Sequence, residues 1–453
     1  MWFSELANST GKWIYFFFAW LKMANRLPAM TYSAPVQDEI CELDFGDSTT
    51  SVRRKAKYRD YDYDDKSTSR WDILPDILLE DIFSRLTIRE RYYASQVCRN
   101  WNRIFYSKIV WETFILGDKT LTRRKFNYYM GDQYVLDHHR TQLCLHKVAR
   151  GFRRLVIKPM ENFHNLYEFM TIFSYFCENF ESLVLIRTLD FTFGCELSPE
   201  VAHGRDKVFG TGGKLLEALK RLMDDLKGLK HLSLQDLLLE KEEAKYLLDD
   251  VVYNCGETLK TLKLVNCSKE PYAMLHPVCF VNMHTLTISP QHLGDENILL
   301  LANTKLRNLY LLQTKQTENS VPVSFKVWRE CSKISPHLRV HHILEGPVEA
   351  QILLSRCCPF LDTLIIRDRI STASVLLLAS QSRNLRRLVV RRRGMIQKCD
   401  WPHNPEWSDS FYNWLRTTSV SIEKTKGEVS RILECIWHPL TEEEFSSYRL
   451  QRA

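Results

Sequence analysis

A six-residue apolar pattern, L-x-x-L-x-L, recurs from residue 152 to residue 390 and constrains the fold more than any other feature of the chain. Its copies are FRRLVI from Phe152, FESLVL from Phe180, LKHLSL from Leu229, LKTLKL from Leu259, MHTLTI from Met283, LRNLYL from Leu306, a weaker SPHLRV from Ser335, LDTLII from Leu361 and LRRLVV from Leu385. Successive copies start 23 to 30 residues apart, except for one interval of 49 residues. One such unit cannot bury its own apolar face, so the units are expected to stack around a shared core.

This pattern resembles the leucine-rich repeat. The resemblance implies a solenoid of the α/β class over residues 152–393, with about nine irregular repeats, a curved parallel sheet inside and helices outside. The spacing of apolar residues before LKHLSL fits an outer helix with one buried face, made by Leu215, Leu216, Leu219, Leu222, Met223 and Leu226. Cys267 occupies the Asn/Cys position that closes the motif.

Strand alternation predicts which residues a partner would meet. If motif positions 1, 4 and 6 face the core, positions 3, 5 and 7 face the concave surface, where cationic residues gather toward the C-terminal end. Guanidinium groups bind oxyanions through paired hydrogen bonds, so the arginines are expected to converge on an acidic or phosphorylated segment of a protein substrate. A solvated charged surface is the alternative. The candidate substrate-binding residues are Tyr310, Arg339, Arg367, Arg387 and Arg391.

Upstream of the repeat, the segment from Trp71 to Trp111 has the pattern of a first amphipathic helix. Pro75 stands where a first helical residue would be, because a missing N–H costs nothing there. Apolar residues then recur at steps of three to five, with charged residues between them, which indicates one apolar helix face. These apolar residues are Ile77, Leu78, Ile82, Phe83 and Leu86.

Two further helices are predicted in the same segment. Thr87 and Glu90 match a capping box, so a second helix should begin near Ile88. A third helix should run from about Val97 to Phe105. Three helices in about 35 residues hide only about 60% or less of their surface, so a binding partner is expected.

The composite LPDILLEDIFSRL, then VCRNW and a further tryptophan, resembles an F-box. The resemblance implies a three-helix F-box that binds the adaptor of the SCF ubiquitin ligase (the S-phase kinase-associated protein) and, through it, the cullin scaffold. One departure is that Arg91 follows Glu90 where the family usually has leucine, which predicts a weaker adaptor contact by the second helix. The adaptor-binding candidates are Leu74, Pro75, Ile77, Leu78, Ile82, Phe83, Leu86, Val97, Cys98 and Trp101.

Composition divides the rest of the chain. Residues 1–70 are predicted to be a mostly disordered leader, 71–118 the F-box, 119–151 a helical connector and 394–453 a Trp-rich cap. Within the leader, residues 13–21 are apolar but shorter than the roughly 20 residues that span a bilayer. Three roles of this apolar segment remain open. It could be an interfacial anchor, a secretion signal, or part of a leader that is dispensable because translation begins at Met23. The cap's tryptophans could also touch a substrate.

Cysteine and motif content favour a non-catalytic protein of the cytoplasm or nucleus. The 13 cysteines contain no C-x-x-C pair, so reduced thiols are expected, with no metal or cofactor. Signatures of phosphate loops, zinc proteases and serine hydrolases are absent. The net charge of +7 is compatible with an acidic ligand.

The sequence therefore predicts a substrate-recognition subunit of an SCF-type ubiquitin ligase, which holds a protein substrate without catalysing its modification. An interaction scaffold acting outside the ligase is the main alternative. Nucleic-acid binding through RRLVVRRR is a third class, and it is disfavoured because the sequence has only one dense basic cluster.

Overall fold

A computed structural model describes residues 74–128, 131–179, 185–194, 211–314, 317, 323–344, 361–367, 369–382, 384–405 and 407–445. The predicted leader of residues 1–70, with its apolar segment 13–21, lies outside these described residues. Within them, no helix has the length and apolar content needed to cross a membrane.

Three short helices open the described chain, namely α1 (Asp76–Arg85), α2 (Ile88–Ser95) and α3 (Arg99–Phe105). The predicted capping box before α2 is confirmed, because the Thr87 side chain accepts from the Glu90 N–H and the Glu90 carboxylate accepts from the Thr87 N–H. Pro75 precedes α1 instead of forming its first residue, since its ψ of 143° is extended. The third helix begins after Cys98, two residues later than predicted.

Ten strands of the described chain form one parallel sheet whose spatial order follows chain order. The connections between neighbouring strands are long enough to contain helices, as parallel pairing requires. The strands are β1 (Thr113–Leu116), β4 (Arg154–Ile157), β5 (Thr188–Thr192), β6 (His231–Gln235), β7 (Thr261–Val265), β8 (Thr285–Ile288), β9 (Asn308–Gln313), β10 (Arg339–Leu344), β11 (Leu361–Ile366) and β13 (Arg387–Val390).

Eight of the nine predicted repeat copies supply strands of this sheet. The copy from Phe180 lies mostly outside the described residues, and the strand at that place, β5, begins at Thr188. There Ile186, Leu189 and Phe191 are buried in the motif spacing, with Phe191 in place of a leucine. Strand β1 has no leucine motif and was not predicted.

Burial follows the predicted alternation in β4, β5 and β8, whereas β11 and β13 also bury residues of the opposite face. At motif positions 4 and 6, Leu232, Leu234, Leu262 and Leu264 are at most 1% exposed. The connecting helices bury apolar side chains as well, and the helix predicted before LKHLSL is α6. These helices are α5 (Phe163–Asn179), α6 (Lys214–Asp225), α7 (Lys241–Ala244), α8 (Asp249–Cys255), α9 (Asp295–Ala302), α10 (Phe325–Ile334) and α11 (Thr372–Gln381).

The predicted helical connector of residues 119–151 is helical only in its second part. An antiparallel hairpin, β2 (Thr122–Asn127) with β3 (Gly131–Leu136), comes first, and α4 (His138–Val148) follows. The buried Asn165 holds the hairpin against α5. Its Nδ2 donates to the Tyr134 carbonyl over 2.8 Å, and its Oδ1 accepts from the Leu136 N–H over 2.8 Å.

The Trp-rich C-terminal segment covers the edge of the last strand, β13. The Trp437 indole donates to the Leu388 carbonyl over 2.6 Å, and the Leu440 N–H donates to the Val390 carbonyl over 2.9 Å. These bonds use backbone groups that an open sheet edge would leave unpaired. The segment also contains β14 (Met395–Ile396), which pairs with β12 (Ile370–Ser371) from earlier in the chain, α12 (Asp409–Thr418), whose N-cap is Ser408, and α13 (Ile422–Ile432).

The described cysteines are free thiols, and five of them are buried. Burial raises the pKa of Cys144 and that of Cys177 to about 12, which keeps both thiols protonated. Cys267 is fully buried, and its sulfur lies 3.8 Å from the Leu234 carbonyl. These observations agree with the predicted reduced, buried thiols.

The buried His292 connects the segment after β8 to the segment after β7 through hydrogen bonds. The Cys267 N–H donates to Nε2 of His292 over 2.9 Å, so the proton of the neutral ring is on Nδ1, 3.2 Å from the Tyr272 carbonyl. Burial lowers the pKa of His292 to about 4. Folding therefore requires the neutral imidazole.

We expect His292 to make stability depend on pH. Because its pKa is about 4 in the folded chain and about 6.5 when unfolded, its contribution is complete above pH about 6.5 and is lost as pH falls toward 4. The loss should approach about 3 kcal/mol. Urea unfolding at pH 7 and pH 5 checks this against His292→Gln, which should show a smaller pH difference. An equal pH difference in the two proteins would contradict the prediction.

Candidate protein-interaction surfaces

Helix α1 presents two large apolar side chains to solvent. Ile77 is 78% exposed and Leu78 is 49% exposed. The opposite side of the helix is internal, since Leu79 and Phe83 are fully buried. Ile82, one turn after Leu78, is partly buried beside that internal side. An exposed apolar surface of this kind marks a site that a partner can cover.

The predicted adaptor-binding residues separate into a surface group and an interior group. Pro75 and the 55%-exposed Val97 are on the surface with Ile77 and Leu78, whereas Leu74 and Cys98 are partly buried. Phe83, Leu86 and Trp101 are buried, so they support the surface from inside. Phe83 and Trp101 meet edge to face, with ring centroids 5.7 Å apart.

Arg91 turns inward, although the sequence suggested that it altered an adaptor contact. Its side chain is buried, and its Nε donates to the carbonyls of Phe83 at 2.9 Å and Leu86 at 3.0 Å. Its Nη2 donates to the Ser84 carbonyl over 2.9 Å. The guanidinium lies 5.0 Å from the centroid of the Trp111 ring. Arg91 therefore satisfies the carbonyls at the end of α1, and burial lowers its pKa to about 10, so it stays charged at neutral pH.

The sequence of residues 71–116 matches the family model described as F-box-like. The chain contains an F-box-like domain. Such a domain implies binding to an SCF-type adaptor, and the apolar residues exposed on α1 belong to it.

The large sheet carries the second surface, on the face that bears motif positions 3, 5 and 7. We call it the open face. Its rows run across the strands, and one row contains Lys263, Thr287, Tyr310, His341, Thr363 and Arg387. Tyr310 and His341 are stacked at 4.5 Å between ring centroids. A β-bulge shifts the register of β10 with β11 between Val340 and His341, whereas the regular pairing of β10 with β9 places Arg339 beside Asn308, in the row before.

The four candidate arginines do not converge on one point. Arg339 and Arg387 lie where their strands begin, whereas Arg367 and Arg391 follow the ends of β11 and β13. Arg387 and Arg391 are four positions apart on one strand, which corresponds to about 13 Å. The sequence showed the strands but not the bulge in β10 or the opposite ends at which these side chains lie.

Arg391 already has an acidic partner within the chain. Its guanidinium donates to both carboxylate oxygens of Glu442 over 2.9 Å, and its Nη1 donates to the Arg367 carbonyl over 3.4 Å. The guanidinium also lies 5.5 Å from the centroid of the Phe445 ring. A substrate would have to displace Glu442 to reach Arg391 in the way the sequence suggested.

Phe445 covers the open face between the two pairs of arginines. It packs in a buried cluster with Ile365 and Val389, and Leu440 flanks them. The segment 440–445, which we call the C-terminal arm, therefore closes an apolar part of the open face.

Burial lowers the pKa of Lys263, and the charge of Arg367 lowers it further, so those two cations lie within electrostatic reach of each other.

Two arginines and a histidine that the sequence did not mark as binding candidates lie at the starts of the strands. Arg307, His337 and Arg386 line one cavity together with Arg339. The available signal was motif position 2, which is basic in six of the nine copies, at Arg153, Lys230, Lys260, His284, Arg307 and Arg386. Among the described residues, no cluster of histidine, cysteine and carboxylate side chains could hold a metal ion.

Replacement of Arg91 should destabilise the F-box-like domain. In Arg91→Leu, the carbonyls of Phe83, Ser84 and Leu86 lose a charged donor, so we expect the free energy of unfolding to fall by about 3 kcal/mol. Arg91→Lys should not restore it, because an ammonium cannot span three carbonyls. Chemical unfolding measures the effect, with the exposed Arg99→Leu as control. Equal stability of Arg91→Leu and the natural protein would show that the buried guanidinium is dispensable.

Removal of the Phe445 ring should destabilise the end of the sheet. The ring buries Ile365 and Val389, so Phe445→Ala is expected to lower the free energy of unfolding by about 3 kcal/mol. Phe445→Leu should cost less, because it keeps most of the apolar contact. Glu442→Gln should have a smaller effect than Phe445→Ala, because the ion pair is partly exposed. If the alanine variant is as stable as the leucine variant, the arm does not protect this part of the sheet.

Proposed function

We propose that this chain is a substrate-recognition subunit of an SCF-type ubiquitin ligase. Its F-box-like domain would bind the adaptor and, through it, the cullin, while the sheet region would hold a protein substrate. The observation that carries the proposal is the match of residues 71–116 to the F-box-like family, together with the exposed Ile77 and Leu78 in that segment.

The adaptor would cover the exposed part of the predicted residue set. Pro75, Ile77, Leu78 and Val97 are accessible, so they are the proposed contact residues. Phe83, Leu86 and Trp101 would act indirectly by holding α1 and α3 in place. Arg91 no longer argues for a weaker adaptor contact, because its guanidinium points into the domain. The Arg91 departure therefore gives no support to a scaffold outside the ligase.

We infer that the ten-stranded region is a leucine-rich-repeat solenoid. Two observations support this inference. The strands follow one another in chain order, and the motif leucines fill the buried positions. Stacked repeats of this type create an extended concave binding surface. The substrate would bind there, in the cytoplasm or nucleus, where the free cysteines would stay reduced.

The proposed mechanism is proximity. The subunit would tether a substrate and thereby raise the effective concentration of its lysines near the ubiquitin-charged enzyme, by up to the millimolar range for a flexible link. This role requires the F-box-like domain to be held firmly on the sheet region. Ring contacts support such a connection, since Trp111 lies 6.5 Å from Phe152, which stacks on Phe114 at 4.7 Å.

Charge placed on α1 should abolish adaptor binding without unfolding the chain. We expect Ile77→Glu combined with Leu78→Glu to lower the affinity for purified adaptor at least tenfold, because two charges would be buried against an apolar partner surface. Calorimetric titration measures the affinity, and thermal unfolding should be unchanged because both side chains are exposed. Tyr253→Glu is the matched control, since that side chain is 91% exposed on α8.

A second arm of the experiment separates the ligase from a scaffold. Affinity purification from cells with the proteasome inhibited should recover adaptor and cullin with the natural protein and neither with the double variant. Recovery of other partners without adaptor or cullin, from both proteins, would refute the ligase role and favour the scaffold.

A further inference from the structure

A large cavity lies beside the starts of the last four strands of the sheet. Its volume is about 1270 Å³, and it is bordered on the far side by the end of α13 and the residues that follow, Ile432 to Cys435. The cavity is separate from the C-terminal arm, whose residues are absent from its lining. It also belongs to the opposite end of the sheet from β1, which lies at the end of the F-box-like match.

The lining of this cavity is rich in positive charge. Arg307, Arg339 and Arg386 line it together with the imidazole of His337, and two carboxylates, Asp362 and Glu434, lie among them. Arg307 and Arg339 are exposed and pair with no acidic side chain in the part of the chain that the structure describes. Arg386 approaches Asp362 only at 3.9 Å, and its side chain remains 80% exposed.

Backbone bonds between neighbouring strands fix the positions of these cations. The Arg339 N–H donates to the Arg307 carbonyl over 2.8 Å, and the Arg386 N–H donates to the Asp362 carbonyl over 2.9 Å. Neighbouring strands are about 4.8 Å apart, so Arg307 and Arg339 are one strand apart and Arg386 is two strands from Arg339, across Asp362. Only the side chains have to adjust when a ligand binds, which limits the entropy that binding costs.

We propose that this cavity binds an extended peptide segment that carries clustered oxyanions, supplied by phosphorylated serine or threonine or by grouped glutamate and aspartate. This inference rests on the proposed function, for which it names the substrate class and the binding site. The site replaces the convergent arginines predicted from the sequence, because Arg391 is held by Glu442.

Charge and size favour a peptide over other anionic ligands. Guanidinium forks bind phosphate or carboxylate oxygens, while Asp362 and Glu434 can accept the N–H groups of a peptide backbone. Those same carboxylates would repel a continuous nucleic-acid backbone. The volume of about 1270 Å³ exceeds the range of a typical small-molecule pocket, about 300–1,000 Å³, and accommodates several residues of chain.

The binding test uses the full chain with its adaptor and three fluorescein-labelled peptides of one Gly/Ser-rich sequence. The peptides carry two phosphoserines, two glutamates or two unmodified serines. We expect fluorescence anisotropy to detect binding of one or both anionic peptides, with affinity falling as salt rises. Tighter binding of the phosphopeptide assigns the oxyanion to phosphate, and equal binding assigns it to carboxylate. Preference for the unmodified peptide would overturn the proposal.

Charge reversal then locates the site. Arg307→Glu combined with Arg339→Glu should weaken binding of the anionic peptide at least tenfold, whereas Lys424→Glu, on exposed α13, should leave it unchanged. Unchanged binding by the double variant would overturn the assignment. Displacement of the peptide by inorganic phosphate at equal concentration would indicate an adventitious ion only. Tighter binding of single-stranded RNA than of either anionic peptide would also overturn it.

Adaptor titration of the same variants separates this inference from the proposed function. The Arg307→Glu, Arg339→Glu protein should bind adaptor normally and keep its thermal stability, because both residues lie far from α1 along the sheet. If the double variant binds both the adaptor and the anionic peptide normally, the proposed peptide site is refuted and the ligase role is not. If the natural protein does not bind the adaptor, the proposed ligase role itself is refuted.

Discussion

The parallel strand ladder is the constraint on which the remaining structure depends. Most strands bury one face through motif leucines, and each bonds its backbone to its neighbours in the sheet, so the strands stabilise one another. The two edge strands, β1 and β13, lack a neighbour on one side, and different parts of the chain pack there. At the end formed by β1, the F-box-like domain and the first strands share packed rings. At the β13 end, Trp437 and Leu440 bond to the edge strand directly.

Two charged side chains show how the same residue type serves different purposes in this molecule. Arg91 is buried because it offers several donors to carbonyls that end a helix, and Trp111 lies against its guanidinium. Arg391 is partly exposed and holds the C-terminal arm through Glu442. Both looked like surface determinants in the sequence. In each case the apparent binding residue stabilises the chain, and the cations open to a ligand are those at the starts of the strands.

Much of the fold could be predicted because apolar spacing and capping chemistry are local properties. The Thr87–Glu90 capping box, the helix over Leu216 to Leu226 and most of the strands follow from such spacing. Strand β5 was misplaced because Phe191 fills a leucine position, and β1 was missed because Trp111 and Phe114 fill leucine positions of its motif. The arginine cavity was missed because Arg307 and Arg386 line one cavity only after the intervening strands align.

By itself, the sequence determined a helical F-box-like segment followed by a repeated apolar strand, because both are encoded in the spacing of residues within short windows. Tertiary structure decided which side chains remain available. It placed Phe83 and Trp101 inside and Ile77 and Leu78 outside, and it joined Arg391 to Glu442 across 51 positions of the chain. Such choices depend on register and on contacts distant in sequence. Only the folded chain brings the arginines of separate strands to one cavity.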